Sequence, residues 1–105
     1  MIQDKSIILD RIKSVVRQVN PKAEVILYGS RARGDEHPDS DWDILILVDT
    51  KSDLDYEKVF RHALFDVELE FGEAFSITVH NKKEWRTKHW MTPLYQNIYK
   101  EGLKI

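Results

Sequence analysis

Cysteine is absent from the 105 residues, which excludes disulfides and thiolate-bound metals and fits a reducing cytoplasm. Glycine and proline are scarce, at four and three residues. No linker, repeat or low-complexity segment interrupts the chain. No apolar run approaches the roughly 20 residues that a membrane-spanning helix needs, and the opening "MIQDKSIILDRIKS" carries charges where a signal peptide requires an apolar core. A soluble, unexported protein with no membrane partner is expected. Neither sign of charge dominates, with 16 Lys and Arg against 18 Asp and Glu and a net charge of -2. The chain as a whole therefore has no general attraction for nucleic acid, and a DNA-coating role is not expected. A hydrophobic content of 42% over this length suffices for one compact core and not for two, so residues 1–105 are read as a single domain.

Hydrophobic spacing supplies the elements. Ile7, Ile8, Ile12, Val15, Val16 and Val19 recur at intervals of three and four, predicting an amphipathic helix over roughly 3–19 that ends before Asn20-Pro21. "AEVILYG" reads as a buried strand entering a tight turn at Gly29, and 31–40 as a loop with a helical turn after Ser30. "DWDILILVD" has a continuously apolar centre, as a strand covered on both faces requires. Ser52 and Asp55 resemble a capping pair for a helix of about 18 residues, with Val59, Phe60, Ala63, Leu64, Val67 and Phe71 on one broad face up to Gly72. "AFSITVH" is a third strand. Asn81 with Glu84, and Thr92-Pro93, open two short helices, the second ending at Gly102. The expected order is helix, strand, strand, helix, strand, helix, helix, an α/β (α+β) fold with a small mixed sheet.

The chemistry concentrates in "GSRARGDEHPDSDWD", residues 29–43. Gly29 lets the backbone turn without a Cβ, so a phosphate can approach the amides that follow. Ser30 can donate its hydroxyl to that phosphate, and Arg33 can reach it with a permanently charged fork. Ten residues after Ser30, Asp41 and Asp43 fall on one face of the next strand because strand side chains alternate. Two carboxylates held so close repel each other, and facing a triphosphate they form the oxygen-rich site that Mg²⁺ prefers. Either Asp-x-Asp or Gly-Ser alone is ordinary strand or turn chemistry. Their conjunction between two apolar strands is what points to a nucleotide.

That conjunction resembles the nucleotidyltransferase superfamily that includes DNA polymerase beta, and the chain's size is similar to the minimal nucleotidyltransferases, small prokaryotic proteins often paired with a helical HEPN-type toxin. The likeness is strong over about 25–48 and plausible in element order throughout. It implies a mixed sheet with helices packed on it, two divalent metals, and transfer of a nucleoside monophosphate to an acceptor hydroxyl with loss of pyrophosphate. Gly29 and Ser30 would hold the triphosphate, Arg33 would contact it, and Asp41 and Asp43 would ligate the metals. Some minimal members adenylylate a tyrosine of the partner toxin and so act as antitoxins. A transfer of AMP from ATP to a partner protein's hydroxyl, supported by Mg²⁺, is the first expectation. In so short a chain a second protein or second copy should complete the cleft.

One feature departs from the family pattern. Active members carry a third carboxylate on the next strand, and the corresponding "FSITV" puts Ser76 there. Glu70 and Glu73 lie near in sequence, but with Glu68 they read as a solvated face. A nucleotide- and partner-binding module weakened in transfer is therefore the alternative. The four histidines, His37, His62, His80 and His89, show no metal-ligand spacing on one helix. His37 reads as a solvated loop residue. Trp85, Trp90, Tyr95 and Tyr99 are assigned to the core in preference to a partner surface, and Trp42 to packing behind the two acids.

Overall fold

The computed structural model describes residues 5–50 and 54–105. Its elements are α1 (Lys5–Val19), β1 (Glu24–Tyr28), α2 (Ser30–Arg33), β2 (Trp42–Val48), α3 (Leu54–Phe71), β3 (Phe75–Asn81), α4 (Lys82–Lys88), α5 (Pro93–Glu101) and β4 (Leu103–Lys104). The expected fold class is found, a mixed four-stranded sheet in the order β3-β2-β1-β4. Strand β1 runs antiparallel to β2 and β4, whereas β2 and β3 are parallel. Parallel neighbours need a long crossover, which α3 provides. The expected capping pair at Ser52 and the expected helix start at Gln3 lie outside the described residues.

Central strand β2 is buried from Ile44 to Val48 because both sheet faces are covered. On one face, Ile8, Ile12 and Val16 of α1 and Phe60, Leu64 and Val67 of α3 pack against Val25, Leu27, Ile44, Ile46, Ile77 and Val79. Each such side chain contributes about 1.5–3 kcal/mol by leaving water. On the other, Leu45 and Leu47 meet Trp85 of α4 and Ile98 of α5. The real helical stripes are narrower than the sequence suggests: Ile7 and Val59 are exposed. A stripe facing one sheet spans little more than 100°, so residues at its rim turn to solvent.

Local signals account for the helix ends. Asn81 accepts from the Glu84 amide and Thr92 from the Tyr95 amide, with Pro93 beginning α5. Strand β4 was not visible in the sequence, since two residues carry no periodicity. Its pairing of Leu103 with Leu27 and Lys104 with Ile26 pins the end of α5 beside β1. The aromatic assignment is corrected in part. Trp85 is buried and Tyr95 packs on it, but Trp90 is 51% and Tyr99 80% exposed. Trp90 stands in the turn between α4 and α5, and Tyr99 on the open rim of a cavity that Ile26, Leu47 and Trp85 also line, so neither is covered by a second layer.

His80 belongs to this second layer, its ring 5.0 Å from Trp85 and 4.7 Å from His89 between centroids. Burial and the His89 imidazole hold its pKa below the ordinary histidine value, with Glu57 and Glu84 pulling weakly the other way. A depressed folded pKa means that the unfolded chain binds the proton more readily. The stability it contributes is complete above about pH 6.5 and is lost as the pH falls from there through the folded value. Melting curves at successive pH values should show this decline, and His80→Phe, which keeps the stack without the titration, should flatten it.

Candidate active site

The site forms where β1 turns into α2 and β2 begins. Gly29 sits at φ 74°, ψ −160°, a conformation that is essentially restricted to glycine. Its carbonyl accepts from the amides of Ala32 and Arg33 at 3.0 and 3.1 Å, closing the single helical turn expected after Ser30. Gly34, at φ 83°, ends that turn in the left-handed region. A second constraint on Gly29 comes from across the sheet. Tyr28 pairs with Asp43, so the Asp43 carboxylate lies against the turn. A Cβ on residue 29 would overlap Asp43 Oδ2 and stand 3.0 Å from its Cγ. The bend and the acid are thus packed as one unit.

Asp41 is exposed at the entry to β2, and Asp43 is half-buried inside it, with Trp42 alternating to the opposite face. The carboxyl of Asp43 is pushed above the usual aspartate range, first by burial and then by the charge of Asp41, while Arg33 draws it back and Glu101 adds repulsion. The repulsion anticipated between the two acids is therefore present. Glu68 is raised as well, chiefly by burial and in part by Asp41, and accepts from the Phe75 amide. In the parallel ladder, Ser76 stands directly beside Asp43 and is exposed.

Trp42 does pack behind the site, fully buried, donating from Nε1 to Glu73 Oε2 at 3.2 Å. Arg31 lies over its ring at 4.7 Å and donates to the Ser40 carbonyl at 3.0 Å. The same guanidinium is 3.5 Å from Glu73. Arg31 thereby staples the 34–41 loop to the sheet, a function the sequence did not separate from that of Arg33. Residues two apart on a helix point about 200° from each other, so the two arginines of α2 diverge.

Glu70 is an exposed partner of Arg11 at 3.0 Å, as a solvated residue should be. Glu73 and Glu68 are not solvated in that sense, because Glu73 is held by Trp42 and Arg31 and Glu68 lies near Asp41. Arg33 points outward from α2, donating to Asp35 at 3.1 Å and to Glu101 at 3.0 Å. Glu101, at the end of α5, was missed in the sequence because nothing local marks it. His37 is exposed in the loop.

Among the described residues no group of three or more His, Asp or Glu side chains is arranged to hold a metal. Asp41 and Asp43 present a pair of carboxylates. That fits Mg²⁺, which keeps several waters and takes one or two protein carboxylates together with substrate phosphates. Among the described residues no helix is long and apolar enough to cross a membrane.

A sequence model of the nucleotidyltransferase domain matches residues 9–105. Among solved structures of similar fold is a candidate minimal nucleotidyltransferase, 20% identical at a TM-score of 0.64, covering 98% of this chain and 97% of the other. A toxin–antitoxin complex with AMP-PNP contains a chain 21% identical at a TM-score of 0.67, covering 90% of this chain and 69% of that one. A complex of a tri-AMPylated Shewanella oneidensis HEPN toxin with an MNT antitoxin gives 16% identity and a TM-score of 0.64, covering 96% and 71%. No curated protein matches the chain.

Proposed function

This chain belongs to the nucleotidyltransferase domain family, and from that premise we propose that it transfers AMP from ATP to a hydroxyl of a partner protein. The observation that carries the reading is the contact between the Gly29 bend and Asp43. It brings a backbone able to receive phosphates against the acid that would face them. Gly29 and Ser30 hold the triphosphate, with Arg33 at its edge. Asp41 and Asp43 would hold Mg²⁺, which when bound offsets the charge of the carboxylates and of the phosphates.

In the reaction, the acceptor oxygen attacks the α-phosphorus, the bond from that phosphorus to the bridging oxygen breaks, and pyrophosphate departs with the electron pair. The acceptor's proton must go to a base. With Asp41 and Asp43 assigned to the metal and the position beside Asp43 held by Ser76, which is no base, that proton passes to water or to a basic group of the partner. The fold's occurrence in complexes with AMP-PNP and with an AMPylated HEPN toxin supports ATP as donor and a HEPN-type toxin as acceptor, which would make the chain an antitoxin. The exposed Trp90, Met91, Leu94 and Tyr99 of the C-terminal layer support a protein partner. In this proposal the chain acts as a single domain in the cytoplasm, and a second copy is the alternative to a second protein at the cleft.

The register that sets Ser76 beside Asp43 favours a second reading, a module that binds nucleotide and partner but transfers poorly. Incubation with α-labelled ATP, Mg²⁺ and the partner separates the two. Label on the partner supports transfer; tight ATP binding without label supports the module; absence of ATP binding defeats both. Ser76→Asp refines the test. It restores a third acid at the ladder position beside Asp43 and is expected to raise labelling by up to about 10²-fold, measured as initial rate. An unchanged rate would remove Ser76 as the cause of weak transfer.

A further inference from the structure

Arg33, in the turn that follows Gly29, already has its guanidinium engaged by two carboxylates. Asp35 is a neighbour in the loop. Glu101 is not: it lies 68 residues away in sequence and reaches Arg33 Nη1 at 3.0 Å because β4 pins the end of α5 beside β1. Its side chain is 21% exposed, against 47% for that of Arg33, so Glu101 is the better fixed of the pair. A negative charge so placed opposes the entry of a polyphosphate and holds the cation that would receive it.

Resting on the nucleotide-seat reading above, we propose that Glu101 is a positioning residue that holds Arg33 before nucleotide binds and is displaced from it by the triphosphate. The guanidinium exchanges one anionic partner for another. Because a planar fork binds carboxylate and phosphate in the same geometry, the exchange needs only a rotation of the Arg33 side chain. The identity of residue 101 then tunes nucleotide affinity without touching the reacting atoms.

Titration calorimetry with ATP and Mg²⁺ on the full chain tests this. Glu101→Gln, which preserves shape and removes the charge, is expected to tighten ATP binding by about two- to fivefold, the scale of one exposed ion pair. In an Arg33→Ala background the same change should have little effect, since no cation remains to be released. Glu101→Asp should return affinity toward the native value. The Arg33 side-chain Nε–H resonance should shift in native protein on ATP addition and should already be displaced in Glu101→Gln without ATP. Equal gains from Glu101→Gln in both backgrounds would reduce Glu101 to simple charge repulsion and overturn the exchange. Equal affinities of native protein and Glu101→Gln would overturn it too while leaving the seat intact. If neither protein bound ATP, the seat itself would fall, and the exchange with it.

Discussion

In Asp43→Asn, transfer of labelled AMP to the partner is expected to fall by about 10²–10⁴-fold, the range for loss of a carboxylate that the chemistry depends on, here through the metal it would hold. Three properties meet at this carboxylate. It is paired across the sheet with the residue before the bend, it is half-buried, and it is raised in proton affinity by burial and by Asp41. Asparagine keeps the shape beside Gly29 and removes the charge that would hold the metal. Relief of the repulsion from Asp41 and Glu101 should leave the fold as stable as before or slightly more so, so melting curves separate a chemical loss from unfolding. ATP binding in the absence of metal should persist or tighten, because a negative charge facing the phosphates is gone. A variant that transferred AMP at the native rate would exclude Asp43 from the chemistry.

Gly29→Ala should be the most damaging single change outside the core. The backbone conformation alone costs a non-glycine residue about 1–3 kcal/mol. The added methyl also meets the Asp43 carboxylate, so either the bend or the acid must move. A fall in melting temperature of at least about 5 °C is expected for a chain of this size. ATP binding should be lost in parallel. Gly34→Ala provides the control. It also lies at positive φ, 83°, but has nothing within 4 Å of where its Cβ would fall. It should lose only about 1–2 kcal/mol and retain ATP binding. Equal effects at the two positions would show that backbone strain, and not packing against Asp43, makes residue 29 special.

The difference between these two glycines illustrates how much of the site the sequence carried. Gly29, Ser30, Asp41 and Asp43 lie within one stretch, and turn chemistry together with strand alternation suffices to place them in one another's neighbourhood. The helical turn after Ser30, the crossover helix of 18 residues and the caps at Asn81 and Thr92 follow from equally local rules. Glu73, by contrast, was grouped with exposed acids, because its sequence neighbours are acidic and nothing local announces Trp42 Nε1 as its donor. Arg31 and Arg33 look alike in "SRAR", and only their opposite projections from α2 divide them between loop closure and the contact with α5.

The amino-acid order alone pointed to every helix and to three of the four strands, and singled out one short stretch as the candidate site, because these depend on dihedral preference and periodicity over a few residues. The three-dimensional arrangement decided what no local rule can reach: that Ser76 sits beside Asp43, that a methyl at 29 would strike its carboxylate, and that α5 delivers Glu101 to Arg33. Those pairings are products of strand register and helix docking, which are selected by the free energy of burying the whole core at once and are therefore written in no single segment.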